Sequence, residues 1–269
     1  MSDDVALYAG LQRSVYDRHA TSRPAAEALV GPDYEDLAAE ASVQVSWALN
    51  EFLRRRPYGF DVDYDMRILD FGCGVGRLVE ACYDLGFTRV DGVDISEGMI
   101  RYARTNARFE HSQFWVTGGD DCGGAPEGTY DLVMSFITMQ HVSMRQTRID
   151  ILRSMARCLK PGGVIVIEMC NYPGVVESRV PRNHALWRQN MTAEDTNSKA
   201  DVWITPDQFG AVYDDVRLFF KDIQFQEFDR HDNVYVYDER AIYPYPRNAF
   251  VISASKGRGL VEKYLGHPA

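Results

Sequence analysis

The stretch from Ile68 to Leu78, I-L-D-F-G-C-G-V-G-R-L, constrains this chain of 269 residues more than any other segment. Ile68, Leu69 and Phe71 read as the apolar end of a buried strand. The glycines that follow, Gly72, Gly74 and Gly76, let the backbone turn sharply and approach a ligand where a Cβ would clash. A helix beginning near Gly76 then aims its unpaired N–H groups at that ligand. The spacing is G-x-G-x-G with Arg77 behind it, whereas the dinucleotide-binding turn G-x-G-x-x-G needs glycine at position 77, so NAD is not the expected ligand. Asp70 sets a carboxylate at the carboxyl tip of the strand, which suits a ligand carrying a cation.

The segments downstream continue a strand and helix alternation. Phe87 to Val93 contains a second strand with Asp94 at its tip, eighteen residues after Gly76, where nucleotide-binding α/β folds hold an acid that binds ribose hydroxyls. Ser96 reads as the N-cap of a helix whose apolar face is Met99, Ile100 and Ala103. Gln113 to Val116 reads as a third strand, followed by T-G-G-D-D. Tyr130 to Ser135 is the fourth, followed by F-I-T-M-Q-H-V, and L-K-P-G-G-V-I-V-I-E from Leu159 to Glu168 turns into the fifth.

From Arg67 to Glu168 these segments, in order, closely resemble the class I S-adenosylmethionine-dependent methyltransferases of the small-molecule type, whose first motif is acid-x-Gly-x-Gly-x-Gly. The resemblance implies an α/β, Rossmann-like fold: a seven-stranded, mostly parallel sheet with an antiparallel last strand, helices on both faces and an N-terminal helical cap. It implies S-adenosyl-L-methionine as cofactor. Asp94 would hold the ribose, Ile95 and Met99 would lie near the adenine, and Asp120 or Asp121 would accept from the adenine amino group; the sequence does not choose between them. Asp70, Gly72, Cys73, Gly74, Gly119 and Ser135 complete the cofactor contacts so implied. Taken singly, Met99, Phe114 and Trp115 read as core residues.

Charge and cysteine content limit the alternatives. Lys and Arg number 29 against 39 Asp and Glu, a net charge of −10, which repels a phosphate backbone and disfavours nucleic acid. The compact basic run Arg54-Arg55-Arg56 ends a predicted helix, where cations face solvent at the negative end of the dipole. Five cysteines without metal spacing read as reduced thiols, no clustered carboxylates call for a metal, and no stretch approaches the ~20 apolar residues of a membrane span. A cytoplasmic protein is expected.

The chain reads as one domain, 1–269, organised around a cofactor-binding core at 66–169. Ahead of it, residues 1–60 form a helical cap: Leu37, Ala41, Val45, Ala48, Leu49 and Phe52 share one face of a helix that starts at Pro32-Asp33 and packs on the sheet. The earlier L-Y-A-G-L-Q-R-S-V-Y-D-R-H-A resembles the family's leading segment that folds across the cofactor, with Tyr16, Arg18 and His19 as candidate contacts; covering the core is the equal alternative for Tyr8 and Tyr16. Residues 170–204 are long for a connection and read as a substrate lid, with Tyr172, His184 and Trp187 as substrate candidates. Within 205–256, a helix precedes the strand pair Ile223–Phe228 and Phe250–Ala254. Between those strands the aromatic insertion 230–248 carries Tyr235 and Tyr237, suited to a ring-shaped polar substrate or to the interface of a homodimer.

The implied reaction is an in-line displacement at the sulfonium methyl, for which positioning and exclusion of water supply much of the rate. A hydroxyl acceptor also needs a base, and His141 is the best placed; its alternative is a structural hydrogen bond. The acceptor implied is a small sugar, amine or natural-product intermediate. A non-catalytic, repurposed cofactor-binding protein is the second reading, because one fold hosts both.

Overall fold

The computed structural model describes residues 3–28, 34–55, 62–171, 185–188, 202–204, 208–228 and 248–256. Three helices come first: α1 (Asp3–His19), α2 (Arg23–Ala28) and α3 (Tyr34–Arg54). The core then alternates β1 (Ile68–Phe71), α4 (Arg77–Asp84), β2 (Val90–Asp94), α5 (Glu97–Arg104), β3 (Phe114–Val116), β4 (Tyr130–Ser135), α6 (Arg145–Cys158) and β5 (Leu159–Asn171). The short strands β6 (Ala185–Leu186) and β7 (Val202–Ile204) follow, then α7 (Phe209–Val216), β8 (Phe220–Phe228) and β9 (Asn248–Lys256).

The main ladder runs β3-β2-β1-β4-β5-β9-β8. Strands β1 to β5 pair parallel, and β9 runs antiparallel to both β5 and β8. That is the seven-stranded sheet with one antiparallel strand expected above. Two features go beyond it. The segment expected to be a lid instead adds strands to the sheet where it is described: β7 pairs parallel with the end of β5 at Cys170 and Asn171, and β6 lies alongside β7. The final strand pair is also longer than its apolar centres indicate, because a ladder continues wherever backbone partners exist, whatever the side chains are.

Alternation along the strands divides the core in two. Leu69, Val133, Ile165 and Ile167 face α6 and α7, while Ile68, Leu132, Met134, Val164 and Val166 face α3, α4 and α5. Ala41, Val45, Ala48, Leu49 and Phe52 of α3 are buried against this second face, as their shared helical stripe requires; Leu37 lies outside the described side chains. Of the arginines at the end of α3, Arg54 is exposed as expected, Arg55 is half-buried, and Arg56 lies outside the described residues. Arg55 donates to the Ser253 hydroxyl at 2.7 Å and to the Asp222 carbonyl at 2.7 Å, tying α3 to β8 and β9. Among the described residues no helix is long and apolar enough to cross a membrane.

β2 and β3 lie on one side of β1 while β4 and β5 lie on the other, so the chain reverses its direction of travel across the sheet between β1 and β4. The helices leaving the two strands diverge there and open a crevice at the carboxyl ends, the place where parallel α/β sheets bind ligands.

Candidate active site

A cavity of about 360 Å³ occupies that crevice. Its floor is the turn from Asp70 to Val75, its sides are Asp94, Ile95 and Met99 with Thr117 and Gly119 on one flank and the turn Phe136–Val142 on the other, and Tyr8, Gln12 and Tyr16 of α1 roof it.

Two glycines of the floor do different work. Gly72 has φ 82°, and a Cβ there would stand 2.1 Å from the Thr138 Oγ1, so the turn after β1 and the turn after β4 interlock only because residue 72 has no side chain. Gly74 has φ 55°, with nothing within 4 Å of the place its Cβ would take. Since Gly74 lines the cavity, that room belongs to a ligand. Its N–H donates to Asp94 Oδ2 at 2.8 Å, and the Ser96 N–H donates to Asp94 Oδ1 at 2.9 Å. These bonds aim the Asp94 carboxylate, while burial raises its pKa above the ordinary carboxylate value.

Asp70 is 1% exposed, and neither of its carboxylate oxygens has a hydrogen-bond partner among the described residues. Burial pushes its carboxyl up to about 7; the Arg77 guanidinium opposes the shift and Asp94 adds to it. A buried carboxylate left in this state lacks a cation or donor. The amino group and sulfonium of S-adenosylmethionine are such cations, the paired acceptor at Asp94 suits a ribose diol, and the space over Gly74 admits the ligand backbone. The residues present therefore fit that cofactor.

α1 is fastened mainly by polar bonds to three separate loops. Tyr8, 2% exposed, donates its hydroxyl to the His141 carbonyl at 2.9 Å and accepts from the Ser143 N–H at 2.9 Å. Arg13 reaches the Ile95 carbonyl at 3.1 Å and the Thr117 carbonyl at 3.0 Å, and Asp17 accepts from the Ser96 hydroxyl and the Gly98 N–H at the start of α5. Few of its apolar side chains are buried: Val5, Tyr8 and Ala9.

Of the expected cofactor contacts, Tyr16, Asp70, Gly72, Cys73, Gly74, Asp94, Ile95, Met99 and Gly119 all line the cavity, as does His141. Others are engaged elsewhere. The Ser135 hydroxyl donates to the Phe71 carbonyl at 2.9 Å and ties β4 to β1. The Asp121 carboxylate accepts from the Thr117 hydroxyl and the Gly123 N–H, closing its own loop, and neither Asp120 nor Asp121 lines the cavity. His19 is exposed beyond the roof, and Arg18 donates back to the Ser14 carbonyl. Trp187 is 1% exposed in the core, where its indole N–H donates to Asp215 at 2.8 Å and the Arg148 guanidinium lies over its ring, so it is no cleft wall. Tyr172, His184, Tyr235 and Tyr237 lie outside the described residues. Sequence reasoning missed Tyr8, Gln12, Arg13, Asp17, Thr117 and Gln140. The segment F-I-T-M-Q-H-V carried a signal for the last, but the anchors of α1 are long-range bonds with no local signature.

Comparison with known proteins follows the same lines. Residues 68–163 match the family model described as a methyltransferase domain. Over 108 residues the chain is 32% identical to the ubiquinone biosynthesis O-methyltransferase of Caulobacter sp. (strain K31), an alignment covering 39% of this chain and 41% of that protein. It is 34% identical over 101 residues to the ribosomal protein L11 methyltransferase of Ralstonia pickettii (strain 12J), covering 38% of this chain and 31% of the relative. The match thus spans less than half the length of these curated relatives. Among solved structures, an S-adenosylmethionine dependent methyltransferase from Mesorhizobium loti superposes with a TM-score of 0.54 at 20% identity, covering 80% of this chain and 100% of that one.

Proposed function

We propose that this chain, whose core matches a methyltransferase domain, is a class I S-adenosylmethionine-dependent methyltransferase that transfers a methyl group to an oxygen or nitrogen atom of a small molecule. The observation that carries the reading is Asp70: a buried carboxylate without a hydrogen bond, beside the glycine turn, in a roofed cavity. When bound, the cofactor supplies an electrophilic methyl on sulfur and leaves as a neutral thioether. Asp94 accepts from the ribose hydroxyls, and Asp70 sets its charge against the cationic end. The roof of Tyr8, Gln12 and Tyr16 excludes water and holds the reactants in line. His141, on the turn after β4, orients the acceptor or takes its proton when the acceptor is a hydroxyl.

A roofed cavity of about 360 Å³ favours a small acceptor over a polymer, and the net charge of −10 disfavours nucleic acid. The Caulobacter relative is named for O-methyl transfer in ubiquinone biosynthesis, which supports an oxygen-bearing small acceptor here.

The test is calorimetry with S-adenosylhomocysteine, followed by a screen of small acceptors with labelled cofactor. Wild-type protein should bind, and Asp94→Ala should weaken binding tenfold or more, since each charge-assisted bond to a ribose hydroxyl is worth roughly 1.5–3 kcal/mol. Absence of binding by the wild type would remove the proposal. Binding with no transfer to any acceptor would favour the repurposed cofactor-binding protein.

A further inference from the structure

Gln140 lies in the turn between β4 and α6, lines the cavity and is 5% exposed. Its Oε1 accepts from the Cys170 thiol at 2.9 Å. The thiol donates to the amide oxygen in this arrangement, the stronger of the two possible pairings, since the reversed amide would offer its N–H to sulfur, a weak acceptor. The Nε2 group is left with two N–H donors and no partner among the described residues. Lining the cavity, that group can donate to water or to an acceptor atom on whatever fills the cavity, and a ligand that displaces the water without supplying an acceptor leaves the donor unpaired at a cost in free energy.

The backbone that carries Gln140 is set before any ligand arrives. Ile137, a β-branched residue, is held in the left-handed region at φ 56°, a conformation that persists only where the surroundings enforce it. The surroundings are identifiable. Thr138 is wedged over Gly72, Tyr8 donates to the His141 carbonyl at 2.9 Å, and Arg148 donates to the Val142 carbonyl at 2.6 Å. The turn is therefore pinned by β1, α1 and α6, and the amide sits on a rigid mount of the kind that directs a bound group without reorganisation.

We propose that Gln140 orients the methyl acceptor, donating from Nε2 to an oxygen next to the reacting atom, and that it thereby selects acceptors bearing a hydroxyl, carbonyl or carboxylate oxygen there. An aliphatic ammonium in that position would set donor against donor. The proposal rests on the methyltransferase reading and narrows its substrate class.

The full chain and its Gln140→Glu and Gln140→Leu variants are assayed with labelled S-adenosylmethionine against catechol and salicylate as oxygen probes, and n-propylamine and histamine as amine probes. S-adenosylhomocysteine affinity and melting temperature are measured alongside. Both variants should keep cofactor affinity within twofold. Gln140→Leu should lose at least thirtyfold in kcat/KM for the oxygen probes at every pH, whereas Gln140→Glu should lose as much at pH 8 and recover as its carboxyl protonates and becomes a donor. Three results would overturn the proposal: both variants retaining kcat/KM within twofold, a tenfold loss of S-adenosylhomocysteine affinity, or a wild-type enzyme that binds the cofactor yet methylates only the amines or none of the probes. Failure of the wild type to bind S-adenosylhomocysteine at all is a different result and strikes the methyltransferase reading itself.

Discussion

Arg77 and Asp70 line one wall of the cavity and attract each other, yet no hydrogen bond joins them; Arg77 donates instead to Gln44 at 2.9 Å, and Gln44 donates to Glu168 at 3.2 Å. Asp70 and Glu168 point to the same face of the sheet by strand alternation, and Gln44 links the arginine to the second of these two buried carboxylates. Asp70 is left short of positive charge until a cationic ligand arrives.

Asp70→Asn keeps the shape and removes the charge. The folded carboxyl titrates at about 7 against an ordinary 3.8, so between those values the folded state holds more protons than the unfolded chain. The stability tied to that proton is full below about pH 4 and lost by about pH 7. The unliganded variant should therefore match the wild type near pH 4 and melt higher at pH 8, while binding S-adenosylmethionine at least tenfold more weakly. Binding to wild type near pH 6.5 should also release a proton, read by calorimetry in buffers of different ionisation heat. A variant that melts lower than wild type at pH 8 would refute the account.

The two floor glycines should separate folding from binding. Gly72→Ala places a methyl against Thr138 in a left-handed backbone, and a soluble, normally melting variant is not expected. Gly74→Ala meets no protein atom; it should cost ~1–2 kcal/mol of backbone strain and block the ligand by filling its space. Thermal melts paired with S-adenosylhomocysteine titration check both, and equal behaviour of the two variants would contradict the division.

Tyr8→Phe removes the hydroxyl that bridges the His141 carbonyl and the Ser143 N–H. At ~1 kcal/mol per neutral hydrogen bond, α1 should open several-fold more often and S-adenosylhomocysteine should dissociate correspondingly faster in stopped flow. An unchanged dissociation rate would mean that α1 does not control the exit.

His141→Ala distinguishes a base from a support. As base for a hydroxyl acceptor, its loss should cut turnover ~10²–10⁴-fold and abolish the acidic limb of the pH profile, with cofactor affinity intact. As support, its loss should lower the melting temperature and cofactor affinity and leave the pH dependence unchanged. Full activity with normal stability would exclude both roles.

What could be read in advance was local in origin. Apolar runs ending in Asp70 and Asp94, the glycines between β1 and α4, and Ser96 accepting from the Met99 N–H at 3.1 Å depend on neighbours within a few residues, and their periods and turn chemistry carry the α/β order and the place of the cleft. Element ends were less legible: β8 and β9 extend past their apolar centres because the ladder partner, not the side chain, ends a strand.

The amino-acid sequence by itself determined the order of strands and helices, the glycine turn and the two strand-tip carboxylates, since backbone preference and burial period act along the chain. Only the tertiary structure decided which polar groups remained for a ligand. Ser135 is spent on Phe71, Asp121 on its own loop and Trp187 on Asp215, while Asp70 and the Nε2 of Gln140 are left over. That division depends on partners scattered across the chain, and a side chain's availability is set by what folding brings beside it.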